Sequence, residues 1–354
     1  MNLTTFQDLL KVTQHRLAKK RTNFRTPISA EERLVITLRY LATGISQIAL
    51  SFSFCVGKQT ISSIIKETCE AIWDVLTPVF LKFPETEEDW LQIAAGYEER
   101  WNLSHVLSSI DGKHINIQCP ANGGSLFYNY KHFHSIVLLA CCDAEYRFTY
   151  VDVGSYGGTN DASIFRDTQL YWALENNTLN IPKPSLVGKH MMPYFLIGDE
   201  IFAMKPWLLK PYSGSGLPLE RRVFNYRLSR ARRCIENAFG ILTSKWRIFR
   251  RPIIANVSTV DAIVKACCCL HNYCLSHEKA VYAPPRLTDS DHRQGEWHSV
   301  TQGDSCLSTI PHQGSNNYSF EARAVREALC LHVNTDGAVE WQISKVTKTS
   351  RKTK

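Results

Sequence analysis

"VLSSIDGKHINIQCP", residues 106–120, marks the point where the chain changes period. Upstream, apolar residues recur at the three-and-four spacing of helices. From Val106 onward the text breaks into short β-type runs closed by Gly, Pro or Asp. "SIVLLACCD" (135–143), "RFTYVDVG" (147–154) and "YFLIGD" (194–199) continue the pattern, and helical stretches follow at 160–175 and 223–245. Strands first, then strands mixed with helices, predict an α/β domain with a mixed central sheet flanked by helices.

The preceding segment, 27–100, reads as all-helical. "SAEERLVITLRYLATG" (29–44) offers Ser29 as N-cap, Glu31 and Glu32 in the first turn and Gly44 as the stop. "SQIALSFSF", a turn at "CVGKQ" and "TISSIIKETCEAIWDVL" (60–76) then give helix, Gly-containing turn, helix, the outline of a helix-turn-helix. Lys58 and Lys66 are the only cations near its second helix, and a purely structural bundle fits the same pattern. Residues 1–26 are polar and basic (Lys11, Arg16, Lys19, Lys20, Arg21, Arg25) and read as a DNA-contacting arm, an import signal or a solvated terminus. Residues 258–279 read as a last core helix, which closes a 103–279 domain; 280–354 is polar and loose, with a short helix near "EARAVREALCLHV" and a basic tail.

The 354 residues carry a formal charge of +8, which favours a polyanionic partner such as nucleic acid. No segment approaches the ~20 apolar residues of a membrane span, and the start lacks a secretory pattern, so a soluble intracellular protein is expected. Most of the twelve cysteines worth noting sit in apolar runs such as "IVKACCCLHNYCL", as buried reduced thiols do rather than zinc ligands.

Four carboxylates stand where such a domain places chemistry. Asp111 and Asp199 end strands, Asp161 follows a Gly-Gly turn, and Glu236 lies on an arginine-rich helix. Carboxylates converging from strands and a helix suit Mg²⁺ or Mn²⁺, which prefer oxygen donors, and a pair of such ions suits phosphodiester chemistry. Each acid also has a plain reading. Asp161, or Asn160 in its place, is a good N-cap, Asp111 and Asp199 suit strand-end turns, and Glu236 can pair with Arg232 or Arg233. Arg221, Arg222, Arg227, Arg230, Arg232 and Arg233 outnumber the nearby acids, so they are expected to form an unpaired row for DNA phosphates. A row this long exceeds what a small phosphoester needs.

"SSIDGKHINIQCP", "YKHFHSIVLLACCDAEYRFTYVDVGSYGGTNDASIF", "FLIGDEIFAMKPWLLKPY" and "FNYRLSRARRCIENAFGILTSKWRIF" together resemble the PIF/Harbinger transposases and the nucleases derived from them, from about Leu103 to Cys274. The resemblance implies a ribonuclease H-like endonuclease domain preceded by a helical DNA-binding region. It implies Asp111, Asp199 and Glu236 as catalytic metal ligands, with Asp161 a further ligand, cleaving DNA by a two-metal DDE mechanism in the nucleus. A noncatalytic DNA- or chromatin-binding descendant is the alternative. DNA and a separate Myb-like protein are the implied partners, and a homo-oligomer is compatible with the family. Lys113 and Lys131, with His114, Asn129 and His132 beside them, are further candidates for DNA contact. Glu200, directly after Asp199, departs from the small residue more familiar there.

Overall fold

The computed structural model describes residues 1–21, 23, 26–121, 123–159, 161–301, 307–308 and 318–347. Arg25, Asn160 and the basic tail beyond Thr347 lie outside the described residues, as does the side chain of Asp161.

The chain opens with helices α1 (Leu3–Leu17), α2 (Ala30–Thr43), α3 (Gln47–Phe54), α4 (Lys58–Phe80) and α5 (Glu87–Trp101). The caps in the text are the caps in the structure. Ser29 Oγ accepts from the Glu32 N–H at 3.1 Å, and Gly44 closes α2 at φ 66°. α3 and α4 meet at 104°, within the range of helix-turn-helix pairs. The basic N-terminus is not a solvated arm. Leu9, Thr13 and Leu17 recur on one buried face of α1, and Tyr273 donates to Thr5 O at 2.8 Å. Arg16 pairs with Asp74 and Lys19 with Glu67, so these cations are already balanced within the helical layer.

Strands β1 (Val106–Asn116), β2 (Ser135–Cys142) and β3 (Phe148–Tyr156) form an antiparallel meander. After α6 (Asp161–Arg166), α7 (Gln169–Glu175) and a small hairpin of β4 (Ser185–Val187) and β5 (His190–Met192), the chain returns as β6 (Phe195–Ile197) and β7 (Leu208–Leu209), both parallel to β1. The sheet order is β3-β2-β1-β6-β7. Long helices α8 (Leu219–Lys245) and α9 (Val257–Tyr282) follow, then α10 (Trp297–Thr301), a two-residue β8 (Leu307–Ser308) beside β1, α11 (Phe320–Asn334) and α12 (Gln342–Thr347).

Helices cover both faces of the sheet. On one, Ser109 Oγ donates to Ala231 O of α8 at 3.3 Å, and the Asn272 side chain of α9 bonds both N and O of Phe148. On the other, Ile164 and Phe165 of α6 pack with Ile110, Val137 and Leu139. Residue 100 is no break in packing. α4 lies against α9, with Asn272 Nδ2 donating to Phe80 O at 2.7 Å, and one buried cluster runs from Ile61 through Cys267. Burial holds the α9 thiols protonated, Cys269 and Cys274 being pushed up to about 12. Among the described residues no single helix is long and apolar enough to cross a membrane.

The described residues after α9 are built onto α8 rather than loose, while 302–306 and 309–317, part of the stretch expected to be loose, lie outside the described residues. Trp297 lies over Gly240, where an added Cβ would meet its ring at 2.4 Å, and its indole N–H donates to Asn237 Oδ1 at 3.1 Å. Alanine normally stabilises a helix interior by ~1 kcal/mol over glycine. Gly240→Ala should instead lower stability by about 1–3 kcal/mol, because the ring must move, and a thermal melt against wild type checks the sign. A second prediction concerns pH. His271 is fully buried, donating from Nε2 to Tyr146 O at 2.8 Å, and burial lowers its pKa to about 4. The unfolded chain therefore takes up a proton first, and this stability is lost as pH falls from 6.5 toward 4. Moving from pH 7 to pH 5 should cost about 2 kcal/mol through this residue, and a His271→Gln variant should lose that share of the slope in urea titrations.

Candidate active site

Along β1 alternate side chains share a face, so Ser109, Asp111 and Lys113 all point toward α8. Asp111 is 4% exposed. Its Oδ1 accepts from the Gly112 N–H at 3.0 Å and its Oδ2 from Lys113 Nζ at 2.7 Å. Next to it, β6 is paired so that Ile197 stands beside Ser109. Asp199 is thus two residues past the last pair, as Asp111 is, on neighbouring strands ~4.8 Å apart; Asp199 lies just beyond β6, whereas Asp111, expected to end its strand, stands in the middle of β1 because the ladder with β2 runs on to Asn116. Asp199 Oδ1 accepts from the Ile201 N–H at 3.0 Å, which turns the chain sharply after the strand. Glu236, little more than a turn beyond Ala231 on α8, pairs with Arg232.

Arg232 ties the three acids together. Burial alone would lower its pKa, yet it is raised, because the charges of Glu236, Asp111 and Asp199 more than offset the desolvation. One guanidinium therefore feels carboxylates from β1, the end of β6 and α8. Two lysines complete an alternating arrangement. Lys113 is buried on Asp111, with its ammonium 5.5 Å from the Phe239 ring centroid. Lys210 follows Leu209, the β7 partner of Ile197; it donates to Glu200 O at 3.2 Å. Burial, then Arg326, lowers its pKa against the opposing charges of Glu200 and Asp199. Lys210 was absent from the sequence reading, although a lysine closing the apolar run "WLLK" is a strand-end signal of the same kind as Asp111.

Asp161 is placed differently. The helix it opens packs on the face of the sheet opposite α8, and its side chain lies outside the described residues. The donor chemistry of Asp111, Asp199 and Glu236 fits a hard divalent cation. Lys113 and Arg232 already hold two of these acids, and among the described residues no three ligand-type side chains close into one group around an ion.

The arginine row requires correction. Arg227, 2% exposed, donates to Asn102 O, to Gln342 Oε1 at 2.7 Å and to Gly337 O at 3.2 Å, and burial followed by the charge of Arg230 lowers its pKa to about 10. Arg230 Nε reaches both Asp291 oxygens at 2.8 and 2.9 Å, with its guanidinium 4.8 Å from the Trp341 ring centroid. Arg233 pairs with Asp291 and Ser290 O, Arg222 with Val346 O, and Arg221 with Glu327 at 3.6 Å. The row is not unpaired. The C-terminal segment supplies the missing acceptors, and a polar stretch read as loose gave no sign of them.

Lys113 is likewise an internal ion-pair partner rather than a surface contact. His114 is buried, its Nδ1 3.0 Å from Ser135 Oγ, and its pKa falls to about 4 through burial first and Lys131 second. Asn129 is buried too, with Nδ2 donating to Ser135 Oγ at 2.9 Å. Lys131 and His132 remain exposed. Burial and then the charge of Lys113 lower the Lys131 pKa.

Residues 110–272 match the family described as DDE superfamily endonuclease. Over 314 residues the chain is 26% identical to "Protein ALP1-like" of Arabidopsis thaliana, covering 86% of this chain and 76% of that protein. It is 26% identical over 249 residues to the Arabidopsis thaliana protein named "Antagonist of like heterochromatin protein 1", covering 69% and 62%. It is 23% identical over 261 residues to the Homo sapiens protein named "Putative nuclease HARBI1", covering 73% and 71%. No solved structure matches. The family match spans the strands and helices that carry Asp111, Asp199 and Glu236, and over that stretch the chain is similar to the DDE superfamily endonucleases.

Proposed function

We propose that the protein is a divalent-metal-dependent DNA endonuclease with a ribonuclease H-like domain, acting on phosphodiester bonds at Asp111, Asp199 and Glu236. The observation that carries this reading is the pairing of β1 with β6, which sets Asp111 beside Asp199, with Glu236 on α8, the helix that packs on that face of the sheet. Mg²⁺ or Mn²⁺ held by these residues would supply Lewis acidity toward the phosphate and lower the pKa of an attacking water.

The chain's own groups do the rest. Lys113 and Arg232 pair with Asp111 and Glu236, so the charge of these carboxylates is compensated within the fold. Asp111 and Glu236 would be the residues to hold a metal, and Lys113 and Arg232 beside them are N–H donors suited to phosphate oxygens. DNA as substrate puts the protein in the nucleus, with a cytoplasmic pool possible before import. Recognition of a target site falls to the 27–100 helices or to a separate Myb-like partner, since α3 and α4 carry few cations. Lys131 is exposed beside the Tyr130 ring and Arg221 is half exposed, so these two remain placed to meet the DNA backbone.

A second reading, a noncatalytic DNA- or chromatin-binding descendant, is favoured by the same ion pairs, because Lys113 and Arg232 already compensate Asp111 and Glu236 without a metal. Cleavage of duplex DNA in Mn²⁺ separates the two. Wild type should nick or cut, and Asp111→Asn, with Lys113 left in place, should lower the rate by more than about a hundredfold. Strand breaks at equal rates in both proteins would sink the catalytic assignment of Asp111. Salt-sensitive DNA binding with no metal-dependent breaks in either would favour the second reading.

A further inference from the structure

The connection between β1 and β2 carries a feature that the carboxylate chemistry leaves unused. In "LFYNYKHFH", residues 126–134, side chains alternate between core and solvent: Phe127 and Asn129 are buried, whereas Leu126, Tyr128 and Tyr130 are 55, 43 and 44% exposed. Tyr156, at the end of β3, is 48% exposed and lies 5.1 Å from Phe127, ring centroid to ring centroid. Three tyrosines thus turn ring surface to solvent in one small area.

The loop is rigidly held. Asn129 Oδ1 accepts from the N–H groups of Lys131 at 2.9 Å and Phe133 at 3.3 Å, while its Nδ2 donates to Ser135 Oγ. Ser135 N–H donates to Phe127 O at 2.8 Å, and Gly157 and Gly158 N–H donate to Ser135 O and Leu126 O. A Cβ on Gly157 would meet Ser135 Oγ at 2.1 Å, so the Gly-Gly turn allows β3 to close onto the loop. Rings fixed by buried hydrogen bonds pay little ordering entropy on binding a ligand.

The platform stands farther along the strand that carries Asp111. His114, three residues beyond Asp111 on β1 and so on the opposite face of the sheet, lies 5.9 Å from the Tyr130 ring, about 10 Å along the strand from that acid. Lys131 Nζ lies 5.6 Å from the Tyr130 centroid and feels the charge of Lys113, the partner of Asp111. Flat π faces with adjacent ammonium groups are what single-stranded nucleic acid requires, because an unpaired base has a free face and its phosphate needs a cation. A closed duplex keeps its base faces inside the stack.

We propose that Tyr128 and Tyr130 form a stacking platform for unpaired nucleobases, so that the protein prefers DNA whose strands are separated beside the phosphate it acts on. The proposal rests on the DNA nuclease reading for its substrate. The test measures fluorescence anisotropy without divalent metal, using a fully paired duplex and a forked duplex of equal length. Wild type should bind the fork about tenfold more tightly, in line with ~1–3 kcal/mol per stacked base. Tyr128→Ala with Tyr130→Ala should abolish the preference while leaving duplex affinity within about twofold and the melting temperature unchanged. Tyr128→Phe with Tyr130→Phe should retain it, since stacking uses the ring. Quenching of 2-aminopurine in the unpaired arm should follow the same order.

Equal affinity of wild type for fork and duplex, or a preference that survives the double alanine change, overturns the platform. Cleavage of the same substrates in Mn²⁺ keeps the two readings apart. Fork preference without cleavage retains the platform and removes the nuclease reading, and cleavage without fork preference does the reverse. Binding to neither substrate overturns both.

Discussion

A buried guanidinium must find acceptors or its desolvation unfolds what surrounds it, and α8 buries or half-buries Arg227, Arg230, Arg232 and Arg233 along one helix. Much of the remaining architecture meets that requirement. Asn102, at the end of α5, accepts from both Arg227 and Arg230. Asp291 takes Arg230 and Arg233, Gln342 takes Arg227, and Glu236 takes Arg232. The described residues after α9 are held down by these contacts and by Trp297 over Gly240, although they are weakly hydrophobic.

The same requirement shapes the candidate site. Carboxylates in the middle of β1 and just past the end of β6 would repel one another if left alone in a buried setting. Lys113, Lys210 and Arg232 are interleaved with them, and the result is a nearly neutral patch of alternating charge on the α8 face of the sheet. Such a patch keeps its charges compensated within the fold. Arginines further along α8 are held as well. Their acceptors are backbone carbonyls and side chains locked in the C-terminal wrap, which makes them structural.

Much of the fold was legible in the text. The period change at Val106, the caps at Ser29 and Gly44 and the long helices around 223–245 and 258–279 all rest on local rules, and the structure follows them closely. The N-terminal segment was misread because charge drew attention away from Leu9, Thr13 and Leu17, whose spacing marks a buried face. Asp111, Asp199 and Glu236 could be picked out singly, each with a plain alternative, and only the pairing of β1 with β6 brings the two aspartates side by side.

Sequence by itself determined the elements, their order and the identity of the charged groups, since these depend on periodicity, capping and turn chemistry within a few residues. Tertiary structure alone decided which charges meet. Whether an arginine faces DNA or an aspartate sixty residues away depends on long-range packing, and nothing local to "SRARRCIENAFG" records where Asp291 comes to rest.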